Sequence, residues 1–421
     1  MNSSALFRHS AHAVRLLLLT MTLPVFSTWS VPPFTLPAPT GRYGVGTTSW
    51  NVTDPDRRES IGALGGARQV KVYAWYPTVP ITRKPSGQRA PYLRETIAEA
   101  RTFALLYRDS SVFDHLEGVQ THAILDDTLV GGTARLPVLI FSHGYTGLVS
   151  AYTALLEDLA SCGFIVLSIA HPYEVVATRL SDGSLVTIFD SAGHIRPELL
   201  DVVNEWAVED STMAMVTHAT TDAEQLRILR GYLSGNSKTR EAIDRWVKDT
   251  KLVLDQLPQL PRRSIGGQLD RHGDFAHLGV FGHSMGGVVA GQFCVEDSRC
   301  RAGLNLDGIP QSGTMIDAKM KAPFLMVYSA RPGRLGASDV IYRRAASTYY
   351  RVDVDNTLHA DFSDMIYWRG PLHSGTIDPD RATALTRLIV RQYFMQELQD
   401  IKSPLLNGSL TLPDARLHKQ R

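Results

Sequence analysis

The sequence predicts an α/β fold: one doubly wound, mostly parallel sheet with helices on both faces and an inserted cap-like region. Three observations predict it. Short β-rich apolar runs recur along the chain, several of them show no alternation, and segments of helical period lie between some of them. A strand buried on both faces by crossover helices reads as such a continuous apolar run.

The runs are 70–76 (VKVYAWY), 137–142 (PVLIFS), 164–170 (FIVLSIA), 278–281 (LGVF), 302–306 (AGLNL), 323–328 (PFLMVY) and 349–354 (YYRVDV). Residues 151–160 have helical period between the second and third runs, and 285–293 follow the fourth. Two stretches exceed a simple crossover. Residues 171–276 open on a hairpin signal at Asp182-Gly183 and carry Ile243, Trp246, Val247, Val253, Leu254 and Leu257 at helical spacing. Residues 97–107 present Ile97, Ala100, Phe103, Ala104 and Tyr107 on one face. Both stretches read either as cap segments at an active-site mouth or as helices covering the sheet.

The first thirty residues differ in kind. Arg8 and Arg15 precede an apolar run, 16–26, with the length of a signal-peptide core and too short for the ~20 residues of a membrane span. We therefore expect an export signal over 1–30, a stiff Pro-rich linker over 31–41, a catalytic domain over 42–404 with an insertion at about 181–265, and a C-terminal tail over 405–421. The expected location is secreted or periplasmic. Export makes Cys294 and Cys300 a candidate disulfide, contributing about 2 to 3 kcal/mol by chain-entropy arithmetic. Cys162 is left over in an apolar context and reads as an inert core residue. Asn51 and Asn407 begin sequons that matter only in a eukaryotic host.

Lys+Arg number 43 and Asp+Glu 42, a formal charge of +1, so no basic field exists to hold a nucleic acid. An apolar fraction of 44% supplies a large core and excludes disorder. No Cys/His cluster has metal-ligand spacing, so neither a metal nor a cofactor is expected. Stable membrane insertion is not expected either, and the oligomeric state is left open.

The motif that carries chemistry is Gly282-His283-Ser284-Met285-Gly286, after one apolar run and before a helical pattern. A serine on a sharp strand-to-helix turn is held in strained geometry that lifts its hydroxyl clear of the sheet, and glycines two before and two after permit the packing. A neutral hydroxyl needs a base and an orienting carboxylate, in the chain order Ser, acid, His. The expected base is His359, in the loop after 349–354; His373 and His418 are the other downstream histidines. The expected acid is Asp307, at the end of GLNLD, with Asp339 as runner-up. The oxyanion donors are expected to be the Met285 N–H and, from the loop SHGYTG after 137–142, the Tyr145 N–H, with Gly144 making the turn. Losing one such donor typically costs about 3 kcal/mol of transition-state stabilisation. His283 reads as structural.

With these residues the chain resembles the plasma/secreted platelet-activating factor acetylhydrolase family of α/β-hydrolase serine esterases. The resemblance is strongest in PVLIFSHGYTG, SAYTALLEDLASCGFIVLSIAH, GVFGHSMGG, AGLNLDG and LHADFSD. It implies an α/β-hydrolase fold, Ser284, Asp307 and His359 as a catalytic triad, and Tyr145 and Met285 as oxyanion donors. It also implies a phospholipid or small-molecule ester substrate with a short acyl chain, such as a 1-alkyl-2-acetylglycerophosphocholine. The chain departs from the family's charged Arg-Asp after His171, where it has Pro-Tyr-Glu, and is only loosely similar over 181–265. A general short-chain carboxylesterase or polyester hydrolase is therefore the alternative, and a non-catalytic binding protein on a hydrolase fold is the alternative of another class.

Overall fold

A computed structural model describes residues 34–420 apart from 63–64, 80–86, 96, 108–110, 133, 312 and 369–374. The expected export signal and His373 lie outside the described residues.

Each of the seven apolar runs forms a strand or part of one. In chain order the strands are β1 (Gly44–Arg58), β2 (Ala67–Thr78), β3 (Arg89–Pro91), β4 (Gln120–Leu125), β5 (Leu136–Ser142), β6 (Ile165–Ala170) and β7 (Ala177–Arg179). They continue with β8 (Leu185–Thr187), β9 (Gly273–His283), β10 (Cys300–Leu306), β11 (Phe324–Tyr328), β12 (Tyr349–Val354) and β13 (Ala415–Gln420). Among the described residues one sheet has the order β13-β12-β11-β10-β9-β5-β6-β2-β1-β4-β3, and β7 pairs with β8 in the hairpin signalled by Asp182-Gly183. From β6 through β5, β9, β10 and β11 to β12 the pairing is parallel. The carboxyl ends of six strands therefore open on the same edge, where α/β sites assemble.

The helices are α1 (Ile97–Tyr107), α2 (Thr153–Ser161), α3 (Pro197–Glu205), α4 (Glu209–His218), α5 (Asp222–Ser234), α6 (Ser237–Gln256), α7 (Ile265–His272), α8 (Met285–Glu296), α9 (Asp339–Ala345) and α10 (Pro379–Gln399). Successive strand side chains alternate between two cores. Leu139, Phe141, Phe281 and Leu304 pack with α1, α2 and α10. Val138, Ile140, Leu278 and Val280 pack with α6, α8 and α9. The apolar stripe of α6, including Ile243, Trp246 and Val253, is fully buried, so this part of the insertion covers the sheet. Ala100, Phe103 and Ala104 of α1 are buried too.

Two segments at the margins of the domain are packed onto it. Residues 34–40 have no regular structure, yet they are a packed strap and not a free linker: Leu36 is buried, Phe34 stacks on Tyr367, and the Arg387 guanidinium donates to the carbonyls of Pro37 and Ala38. A buried guanidinium requires acceptors, and an extended chain without ladder bonds supplies free carbonyls. Residues 405–420, expected as part of a tail, also pack on the domain. Leu405 and Leu406 are buried, and β13 pairs antiparallel with β12 at the sheet edge. Arg416 and His418 face Asp355 and Asp353, the charged dress of an edge strand.

Three carboxyl groups are buried on the α1/α2 side. Burial pushes Glu99 and Glu157 up to about 7 and Asp364 up to about 8, against the backbone N–H groups that each accepts from. Cys294 and Cys300 form a disulfide joining the end of α8 to the start of β10.

Two outcomes follow from these features. The folded chain retains protons on Glu99, Glu157 and Asp364 that the unfolded chain releases near pH 4, so their contribution is full below that pH and is lost as pH rises through 7 to 8. Melting temperature measured by calorimetry should fall by roughly 5 °C or more between pH 5.5 and 8.5, and Asp364→Asn should flatten the slope. Replacing Cys294 and Cys300 by serine should lower the unfolding free energy by about 2 kcal/mol, read from denaturant curves.

Candidate active site

Ser284 stands between the last residue of β9 and the first of α8 with φ 57° and ψ −125°, a backbone conformation strained for any residue but glycine. Its N–H is held by the Leu306 carbonyl at 2.8 Å, tying the turn to β10. The flanking glycines are sterically required. A Cβ on Gly286 would lie 2.1 Å from the Ser142 carbonyl oxygen, and one on Gly282 would lie 2.3 Å from the Gly286 backbone.

Asp307 follows β10 with φ 56° and points at the loop beyond β12. Its Oδ2 is 2.7 Å from His359 Nδ1. Burial alone would raise the Asp307 carboxyl, but the His359 hydrogen bond, the Arg331 guanidinium at 3.0 Å and the Ser329 N–H hold it at about 2. With Nδ1 donating to this carboxylate, His359 Nε2 carries the lone pair. Asp339, the runner-up, is occupied by Tyr328, Tyr349 and Arg351, and His418 lies out on β13.

The loop after β5 contributes backbone. The Gly144 N–H donates to Tyr152 Oη at 3.2 Å and the Thr146 N–H to the Glu174 carbonyl at 2.9 Å. Among the described residues no side chain or loop carbonyl takes the N–H of Tyr145 or Met285. The turn differs from the expected one in its detail: Thr146, not Gly144, has positive φ, at 54°. Gly144 matters for close approach, since a Cβ there would meet His283 Nδ1 at 3.3 Å and Ser284 Cβ at 3.5 Å.

Sequence reasoning missed how much His283 does. Tyr152 donates to its Nδ1 at 2.9 Å, and its Nε2 donates to the His359 carbonyl at 2.8 Å. Burial, aided by the charge of His359, lowers His283 to about 3, which keeps the neutral ring this arrangement needs. One chain of hydrogen bonds thus runs from Gly144 through Tyr152 and His283 to the backbone of His359. Asp361 fixes the same loop by accepting the Leu358 N–H at 2.7 Å. Proximity of Tyr152 to the elbow comes from α2 packing and left no sequence signal. Cys162 is half-buried beside Arg391 and not in the core, with burial pushing its thiol up. Among the described residues no group of three His, Cys, Asp or Glu side chains could hold a metal ion, and no helix is long and apolar enough to cross a membrane.

Sheet order, parallel center and strand-to-helix elbow define the class: an α/β-hydrolase fold. It is similar to the solved structure of a ferulic acid esterase from Streptomyces cinnamoneus, with a TM-score of 0.66 and 24% identity over 91% of this chain and 98% of that one. Within that class, residues 93–181 match the family model described as platelet-activating factor acetylhydrolase, isoform II. The platelet-activating factor acetylhydrolase of Cavia porcellus is 26% identical over 46% of this chain and 40% of its own length. That of Gallus gallus is 22% identical over 59% and 58%, and a probable 1-alkyl-2-acetylglycerophosphocholine esterase of Arthroderma benhamiae is 23% identical over 42% and 33%. The chain thus spans only about a third to three fifths of these curated relatives' lengths. Together these matches make the chain similar to platelet-activating factor acetylhydrolases over part of its length.

The strain at Ser284 carries its own test. Ser284→Gly should unfold at higher denaturant than Ser284→Ala, by on the order of 1 kcal/mol, because only glycine adopts this φ without cost.

Proposed function

We propose that the protein is an exported serine ester hydrolase that works through an acyl-enzyme. The observation that carries this reading is the His359–Asp307 pair at 2.7 Å, set at the same sheet edge as the strained Ser284. Ser284 Oγ attacks the ester carbonyl carbon while His359 Nε2 takes its proton, and Asp307 orients the ring through Nδ1. The Tyr145 and Met285 N–H groups receive the oxyanion, aided by the start of α8. The alkoxide leaves with the proton from His359. Water, deprotonated by the same nitrogen, then adds to the acyl-enzyme, and the carboxylic acid departs as Ser284 regains its proton.

The finer substrate reading is a short acyl chain on a phospholipid, in particular the 2-acetyl group of a 1-alkyl-2-acetylglycerophosphocholine. It is supported by the relatives named for that activity. Export is supported by the apolar run at 16–26 and by the Cys294–Cys300 disulfide, a bond that persists in oxidising compartments.

Purified protein should react with a fluorophosphonate probe and hydrolyse p-nitrophenyl butyrate, and Ser284→Ala should lose the labelling and at least about 10⁴-fold of kcat. Unchanged turnover in Ser284→Ala would overturn the mechanism. Across a panel of acyl lengths, the phospholipid reading expects kcat/KM on a 2-acetyl phospholipid well above that on its long-chain counterpart. Background rates there, with rapid turnover of p-nitrophenyl butyrate or a polyester, would assign a general esterase.

A further inference from the structure

We infer that Glu174 is a positioning residue for the oxyanion loop and that Arg245 and Trp246 of α6 act through it; this rests on reading the Tyr145 N–H as an oxyanion donor. A trans peptide is planar, so fixing its carbonyl fixes the opposite direction of its N–H. The carbonyl of the peptide that carries the Tyr145 N–H belongs to Gly144. That oxygen accepts from the Gly147 N–H at 2.9 Å and lies 2.7 Å from His143 Nδ1. Whatever holds His143 and residues 146–147 therefore aims the Tyr145 N–H.

Both are held by the turn after β6 and by α6. The turn joins the oxyanion loop through two backbone bonds, Thr146 N–H to the Glu174 carbonyl at 2.9 Å and Val176 N–H to the Gly147 carbonyl at 3.0 Å. The turn is itself strained, with Tyr173 at φ 68°. The Glu174 carboxylate is fully buried and accepts from Arg245 Nε at 2.9 Å, Arg245 Nη2 at 2.6 Å and Trp246 Nε1 at 2.9 Å. The Trp246 ring stacks on His171 at 3.9 Å, meets His143 edge-on at 4.9 Å and lies 6.1 Å from the Tyr145 ring. Glu174 thus grips the oxyanion loop with its carbonyl and, with its carboxylate, the indole on which that loop packs.

The anion sits in a largely buried ion-pair cluster. Arg68 lies 4.0 Å from Glu174, pairs with Glu59 at 2.8 Å and with Asp249 at 2.7 Å, and Asp249 also takes Arg57 and His171. Arg57 also pairs with Asp54, so three guanidinium groups face four carboxylates here. Neutralising one carboxylate leaves Arg245 uncompensated and free to move, and Trp246 with it.

The test compares Glu174→Gln, Trp246→Phe and their combination with wild type. The readouts are kcat and KM on p-nitrophenyl butyrate, and inhibition by a trifluoromethyl ketone. Serine adds to the carbonyl of that inhibitor to give a hemiketal anion, which occupies the oxyanion site. Glu174→Gln should lower kcat about tenfold and weaken the ketone by the same factor, with KM changed less than about twofold. Trp246→Phe keeps the aromatic packing, loses the indole donor and should show about threefold effects of the same kind; it decides the matter if Glu174→Gln fails to fold. The double variant should be no worse than Glu174→Gln alone. Wild-type kcat and ketone affinity in the folded variants, with only the melting temperature lowered, would overturn the inference, as would losses that multiply in the double variant. Activity surviving in Ser284→Ala would instead overturn the parent reading.

Discussion

The end of β5 and the head of α8 approach backbone to backbone, so closely that no methyl group fits between Gly286 and the Ser142 carbonyl. Everything at the candidate site is referred to that contact. It sets the head of α8 beside the loop that begins at His143, bringing the Met285 and Tyr145 N–H groups to one edge. The register of β9 against β10 then places Asp307 one residue past Leu306, whose carbonyl anchors Ser284. The strain at Ser284 and Asp307 is tolerated because strands on either side overdetermine both positions.

Around this contact the molecule uses neutral and charged groups differently. Close to Ser284 the supporting side chains are uncharged: Tyr152 and His283 relay hydrogen bonds, and burial keeps the His283 ring neutral. The carboxylate beside His359 is the exception, held ionised by Arg331 and Ser329 as well as by the imidazole. Farther out, behind the loop that begins at His143, charges are buried but arranged in opposing sets around Arg68, Glu174 and Asp249.

The parallel center of the sheet was legible because strands buried on both faces must be apolar throughout, as FIVLSIA and PFLMVY are. Ser284, Asp307 and His359 could be singled out because each stands at or a few residues past the end of a strand. What escaped notice follows other physics. β1 carries Pro55 and several charges and so is not among the apolar runs, although a bulge between Asp54 and Arg58 absorbs the proline. β13 looks like a basic tail because an edge strand is charged on its open side. Glu174 has no local signature at all. Its meaning lies in Arg245 and Trp246, some seventy residues on, which α6 swings back over the sheet.

The grip of Arg387 on the carbonyls of Pro37 and Ala38 spans about 350 residues of sequence. The first described segment therefore docks only after α10 has been synthesised, and β12 gains its outer neighbor only when the last strand arrives. Contacts of such separation slow folding, because the chain must close its longest loop before they form. The first and last described segments are thus secured late, so a chain lacking either leaves one flank of the domain open.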